Sequence, residues 1–352
     1  MKQSILPIFL ALLFLGCSKS PTSQLVTIQI PNKTDIPLSL ANVSMSISKI
    51  QLETKDNVLL GFIKDVKLYN ERIFVVDPNR ILIFDLNGIF LQILGRQGEG
   101  PEEYTRVTCM EIDEKTGNIY VSAYNKIIVY NKDFEFVEER KLGYPIQYLK
   151  ILNGRIFIVS EEVGVALGEK FGNQSNLYEL NSSFQMLDTI PVRTVLLDHL
   201  QVGGSAFRYW LSYIEDGLFL FMPVLTPENL IRDTLYQIKD EKMHPAIRFN
   251  FERPQTLDAS GFQTLVLLNI VNSTSYYILE YDQDWKHFLF LYNKKTNTGY
   301  NLSEGLIDEE GDPVFLRPLD LKEDLFYYIK KFEFEDKTIE EKNPIIGIVK
   351  LK

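Results

Sequence analysis

An all-β fold made of repeated sheets follows from three features of the sequence. Aromatic residues are abundant, with 23 Phe, 18 Tyr and 2 Trp making up 12 % of 352 residues, and such rings favour pleated, half-buried surfaces. Short apolar runs bounded by Asn, Asp, Gly and Lys recur along the chain, and no helical period lasts beyond two turns. The third feature is an internal repeat. Laying Asn70 to Val76 over residues 116–122, a shift of 46 without a gap, puts Ile73 on Ile119, Phe74 on Tyr120, Val75 on Val121, Ile81 on Ile127, Phe84 on Tyr130 and Phe90 on Phe136.

The first elements concern export. Residues 1–16 are a charged start followed by an apolar stretch, Ile5 to Leu15, that ends at Gly16 before Cys17. At about 1.5 Å per residue this stretch spans only part of a bilayer core, so it reads as a signal peptide and not as a membrane anchor. It resembles a bacterial lipoprotein signal, which implies lipidation of Cys17. Residues 17–24 are small and polar and read as a lipid-anchored tether. With Cys17 lipidated, Cys109 has no partner in the chain, and in the strand-like run Val107 to Ile112 it reads as a buried small hydrophobe.

Residues 25–352 form the repeat domain. Weaker copies of the central strand stand at Ile156 to Val159, Leu218 to Phe221, Phe288 to Leu291 and Ile345 to Ile348, spaced 46, 37, 62, 70 and 57 from Ile73 onward. Copies of the third strand, Ile83 to Asn87, stand at Leu177 to Asn181 and Asp233 to Tyr236. Six units of this size predict a six-bladed β-propeller with four-stranded antiparallel blades. Strands packed on both faces are continuously apolar, as these are. The C-terminal run Ile345 to Leu351 is expected to supply inner strands of the sixth blade, and the N-terminal runs Leu25 to Ile30 and Val43 to Leu52 to complete that blade and close the ring.

Arg80 to Gly88, followed by Ile93 to Tyr104 with its Gly95-Arg96-Gln97-Gly98-Glu99-Gly100-Pro101 segment, resembles an NHL-type repeat. Together with Lys49 to Thr54 and Asn343 to Ile346, the chain is similar over the whole mature length to the six-bladed propeller lipoproteins of Bacteroides and related Bacteroidetes. The resemblance implies a propeller on a lipid anchor and brings no general catalytic activity. Asp308 to Pro318 departs from that family's Asp-Gly-Gly and Trp-Pro pattern.

The charge balance is acidic, 37 Lys and Arg against 47 Asp and Glu, with no basic run, so nucleic acid is not an expected partner. Ligands are expected on the face built from the turns between second and third strands and from the blade-to-blade connections. Asp77 to Arg80, Arg96 to Tyr104, Tyr124 to Lys126, Glu161 to Asn176, Gln201 to Trp210, Pro223 to Arg232 and Asn293 to Thr298 are assigned to it. The candidate ligand-binding residues are Arg80, Arg96, Glu99, Glu102, Tyr104, Arg208, Tyr209 and Trp210, with Trp210 also suited to packing between blades.

The glycine-rich stretch Gly95 to Pro101 lacks the following helix and lysine of a phosphate cradle and reads as a turn. His199, His244 and His287 are scattered, Asp282-Gln283-Asp284 lacks the rest of a calcium loop, and no catalytic residue, metal or cofactor is expected. Asp188-Thr189-Ile190 and Asp233-Thr234-Leu235 resemble the short O-glycosylation motif of Bacteroidetes envelope proteins.

These observations lead to a non-catalytic cell-envelope lipoprotein, held by its lipid at the periplasmic leaflet of the outer membrane, that binds a glycan, a peptide or an envelope protein. The alternatives are a propeller hydrolase or lyase with a pore-centred site, and a structural subunit of an envelope complex. Cys17→Ala is expected to move the protein from the membrane to the soluble fraction without unfolding it, because the acyl chains supply the anchor. Unchanged membrane association on fractionation would contradict the lipoprotein assignment.

Overall fold

The computed structural model describes residues 25–197, 210–215, 217–223, 232–259, 261, 263–331 and 342–352. Six four-stranded antiparallel blades stand around an axis. From the axis outward, blade 1 is Asp65–Tyr69, Arg72–Asp77, Arg80–Asp85 and Phe90–Leu94, and blade 2 is Cys109–Ile112, Ile119–Ala123, Lys126–Tyr130 and Phe136–Lys141. Blade 3 is Tyr148–Leu152, Arg155–Leu167, Lys170–Asn181 and Met186–Leu197; blade 4 is Leu211–Ile214, Gly217–Leu220, Thr234–Lys239 and Lys242–Phe251. Blade 5 is Leu265–Asn272, Tyr276–Gln283, Lys286–Asn293 and Thr298–Ser303; blade 6 is Arg317–Asp320, Leu325–Lys330, Ile345–Leu351 and Ser44–Gln51.

The continuous apolar character of the strands has a direct cause. Side chains alternate across a strand, and each blade has a neighbour on both faces. Phe74, Val76, Ile81 and Ile83 face blade 2, while Ile73, Val75, Leu82 and Phe84 face blade 6. The core is accordingly divided into six clusters, one at each junction between blades. At the junction of blades 3 and 4 the described residues of the cluster include Trp210, Leu211 and Leu220.

The ring closes through the N-terminal strand Ser44–Gln51, which pairs antiparallel with Ile345–Leu351 as the outer strand of blade 6. Asn343 fastens the connection that runs from there to blade 1. Its Nδ2 donates to Glu53 O at 2.7 Å and Val58 O at 2.9 Å, and its Oδ1 accepts Leu60 N at 2.8 Å. Its own backbone N donates to Thr54 Oγ1 at 2.9 Å, and the side chain is buried. The turn at Gly88 completes the joint. Gly88 has φ +81°, and a Cβ there would lie 2.0 Å from Gln51 O, so only glycine allows this approach.

Four expectations are corrected. Leu25 to Ile30 does not join blade 6: Val26–Ile30 lies parallel to Ile247–Phe251 as a fifth strand on blade 4. Ile28 and Ile30 face the core between blades 4 and 5, and the long outer strand Lys242–Phe251 offers an edge that this short alternating run covers equally well. The chain then crosses blade 5, where Asp35 N donates to Asn301 O at 2.8 Å, and Leu40 enters the core between blades 5 and 6.

Phe288 to Leu291 and Ile345 to Ile348 are third strands and not second or inner ones. The true second strands, Tyr276–Gln283 and Leu325–Lys330, carry Glu280, Asp282 and Lys330 and so match the apolar template less well. Second strands therefore begin at steps of 47, 36, 62, 59 and 49 residues from Arg72. Asn293 to Thr298 becomes a turn between third and outer strands, on the opposite face from that expected. Glu161 to Asn176 is not a loop but a hairpin that prolongs the second and third strands of blade 3, with pairs from Glu161–Ser175 to Leu167–Lys170.

Replacing Asn343 by Leu removes the partners of three backbone groups, at a cost of about 1–3 kcal/mol for each group left buried and unsatisfied. Urea denaturation is expected to show a loss of at least about 2 kcal/mol. An unchanged midpoint would show that the clasp is dispensable.

Candidate functional site

The upper face carries the turns between second and third strands, and the lower face those between first and second strands. On the upper face the sequence-derived candidates separate into structural and exposed groups. Arg80 donates to Asn57 O at 2.7 Å and Leu59 O at 2.5 Å, pinning the segment that enters blade 1. Tyr104 is buried, and its hydroxyl donates to Leu94 O. Trp210 is 1 % exposed and belongs to the core between blades 3 and 4. Arg96, Glu99 and Glu102 are exposed around one loop, and Arg208, Tyr209 and His199 lie outside the described residues.

That loop is a turn, as its sequence implies. Arg96–Gln97 pairs parallel with Glu103–Tyr104, and Glu103 Oε2 accepts Gly100 N at 3.0 Å. The loop thus folds around its own carboxylate. Lys126 holds it to blade 2 by donating to Glu103 O at 2.5 Å.

The axial channel is lined by ion pairs. Glu111, which is buried, accepts Lys150 Nζ at 2.7 Å and Lys67 Nζ at 3.2 Å, and Lys67 also meets Asp65 at 3.3 Å. Burial alone would push the Glu111 carboxyl up, but Lys150 and Lys67 outweigh it and hold the group below its ordinary range. Burial opposes the Lys67 charge, and Asp65 and Glu111 outweigh it, so this ammonium binds its proton more tightly than a free lysine. Glu111 of blade 2 thus binds Lys67 of blade 1 and Lys150 of blade 3, which ties the three blades together, while Asp65 pairs with Lys67 on its own strand. Cys109, beside this cluster, is buried against Ser122 Oγ at 2.9 Å, and burial pushes its thiol up to about 11.

Below these ion pairs the channel widens into a cavity of about 170 Å³ bordered by Glu111 to Lys115, Tyr148, Lys150 to Asn153, Tyr213 and Pro318 to Lys322. It adjoins a larger cleft of about 760 Å³ between blades 3 and 4. Leu152, Asn153 and Tyr213 border both. Asn153 Nδ2 reaches Tyr213 OH at 3.5 Å across the junction, and Lys322 Nζ stands 4.4 Å from the centre of the Tyr213 ring. The result is one groove running outward from the channel mouth.

The outer part of the groove is walled by Arg155, Glu179, Leu187, Asp188 and Ile190 of blade 3 and by Leu218 and Ile238 to Glu241 of blade 4. It opens at the lower ends of the two blades, between the turn at Leu152–Arg155 of blade 3 and the turn at Lys239–Lys242 of blade 4. A bulge at Leu187 adds one residue opposite Glu179 and Leu180, turning Leu187 and Asp188 both toward the groove. No motif spacing links these residues in the sequence.

A second charged cluster joins blades 5 and 6. His287 Nδ1 lies 2.6 Å from Asp282 Oδ1 and its Nε2 lies 3.4 Å from Glu280 Oε2, while Glu280 also accepts Arg317. Asp284 meanwhile pairs with Arg253. The Asp282-Gln283-Asp284 run is therefore divided between two ion-pair partners.

Residues 25–351 match the family described as Domain of unknown function (DUF4934), and the chain belongs to that family. Comparison with the curated proteins gives no match. Among solved structures, a protein of Bacteroides fragilis described as exported is similar at 19 % identity and a TM-score of 0.67, over 93 % of this chain and 100 % of that one. The extracellular domain of a one-component system from B. thetaiotaomicron is similar at 12 % identity and a TM-score of 0.44, over 85 % of this chain and 35 % of that one. The Pan2 WD40 domain of Neurospora crassa gives 11 % identity and a TM-score of 0.45, over 82 % and 75 %. At these identities the first likeness speaks for the fold alone.

The His287 cluster makes stability depend on pH. Burial opposes protonation, but Asp282 and Glu280 outweigh it and raise the group from 6.5 to about 9. The stabilisation is then complete below the unfolded value near 6.5 and is lost as pH rises through about 9. Wild-type protein is expected to lose melting temperature over that window relative to His287→Gln. Parallel melting curves for the two proteins from pH 6 to 10 would contradict the assignment.

Proposed function

We propose that the protein is a non-catalytic, lipid-anchored binding protein of the cell envelope, held at the outer membrane, whose ligand lies in the groove between blades 3 and 4. The observation that carries this reading is the continuity of the channel mouth with the interblade cleft, about 170 and 760 Å³. The larger volume lies within the range of about 300–1,000 Å³ typical of ligand pockets. An elongated groove suits a chain-like ligand, a glycan or a peptide, or a segment of an envelope protein.

The rival reading, a hydrolase or lyase acting in the pore, fits less well. In the pore Glu111 is bound by Lys67 and Lys150 together, so the carboxylate best placed for proton transfer is committed to neighbouring blades. A purely structural subunit would have no use for an open groove. The exposed upper-face residues Arg96, Glu99 and Glu102 remain a second surface on which a partner protein has room to sit.

The test uses ligand-induced stabilisation, since a molecule that binds only the folded state raises the melting temperature by mass action. Envelope polysaccharide and peptide fractions are titrated into the full-length protein. Leu187 is 52 % exposed and borders the groove, so Leu187→Trp fills it with little effect on the core. The expected result is a rise in melting temperature for wild type that the Trp variant lacks. An equal rise in both proteins would place the ligand elsewhere.

A further inference from the structure

Resting on the groove assignment above, we propose that its occupant is a glycan, specifically a neutral oligosaccharide recognised through Asp188, Glu179 and Arg155. The first observation is an unmet hydrogen bond. Asp188 Oδ2 is buried and has no hydrogen-bond partner among the described residues, although Asp188 borders the groove. A buried carboxylate oxygen without a donor is costly. The bulge at Leu187 nevertheless turns this side chain toward the groove, where a rotation of the carboxylate brings the unpaired oxygen to a donor that a bound ligand can supply.

Next to it stands a complementary pair. Glu179 lies directly opposite Asp188 in the strand register, and Arg155 Nη1 donates to Glu179 Oε1. Carboxylate and guanidinium therefore offer acceptors and donors side by side. Vicinal sugar hydroxyls, each both donor and acceptor, match that arrangement. Leu187 and Ile190 supply apolar surface for the carbon–hydrogen face of a ring, with the Tyr213 ring at the inner end.

Two features separate a neutral glycan from the other candidates. A peptide that adds to a sheet needs a free strand edge for its backbone, whereas the groove is walled by side chains projecting from the facing sheets. The outer groove also carries Glu179, Asp188, Asp240 and Glu241 against Arg155 and Lys239. Four carboxylates against two cations leave it negative by two, which disfavours a sugar acid there.

The experiment applies the full-length protein, with Asp188→Ala and Arg155→Ala, to an array of neutral and acidic oligosaccharides and to a peptide array. Neutral oligosaccharides are expected to be retained, and each variant is expected to weaken them by at least about tenfold. The melting temperature of Asp188→Ala is expected to stay level or rise, because the lost group has no partner in the folded protein. A fall would mean that Asp188 is structural and would overturn the proposal. Peptides retained through the same two residues, with no oligosaccharide bound, would overturn the glycan and leave the groove assignment standing. Oligosaccharide binding that neither variant alters, or no binding on either array, would overturn the proposal and the groove assignment together.

Discussion

The pairing of Ser44–Gln51 with Ile345–Leu351 is the contact on which the rest of the structure depends. Strands about three hundred positions apart must meet before the sixth blade has four strands, and an incomplete blade would leave a long edge open to other chains. Asn343 converts that meeting into a fixed joint by satisfying two carbonyls and one amide of residues 53–60 with a single buried side chain. The Gly88 turn then allows blade 1 to approach Gln51 at a distance that any side chain would prevent.

Closure determines how the core is divided. Once every blade has two neighbours, both faces of each sheet are buried and the apolar residues fall into six interblade clusters. Between blades 3 and 4 the groove opens at the lower ends of the two sheets. The ion pairs of Glu111, Lys67 and Lys150 tie blade 3 to blades 1 and 2, so one wall of the groove is anchored through the channel. The N-terminal strand Val26–Ile30 backs blade 4 from its outer edge and braces the other wall.

The sequence made blades 1 to 3 easy to read, because Ile73 to Val76 and its copies alternate between two apolar neighbours. It misplaced the central strands of blades 5 and 6, where Glu280 and Asp282 serve His287 and Arg317 and so interrupt the apolar pattern. The destination of Val26–Ile30 was not readable at all, since a five-residue strand with one apolar face fits any exposed edge of matching length. For the site, the sequence pointed to the upper loop face, whereas the groove lies at the lower ends of blades 3 and 4. Trp210 proved to be core and Tyr104 a buried tether, whereas Arg155, Glu179 and Asp188 come together only through strand register and a bulge. Such proximity leaves no spacing signature in the chain.

Native-state hydrogen exchange tests most directly the claim that one closed ring holds the groove in shape. If closure governs the fold, the amides of Ile47 to Gln51 that bond to Ile345–Leu351, and those of Ile346 to Val349, exchange only through global unfolding, with the same free energy as those of Ile73 to Val76 in blade 1. Exchange of the Ser44–Gln51 strand at a distinctly lower free energy, with blades 1 to 5 still protected, would contradict it. The outer strand would then be a detachable cover, and the groove would owe its shape to blades 3 and 4 alone.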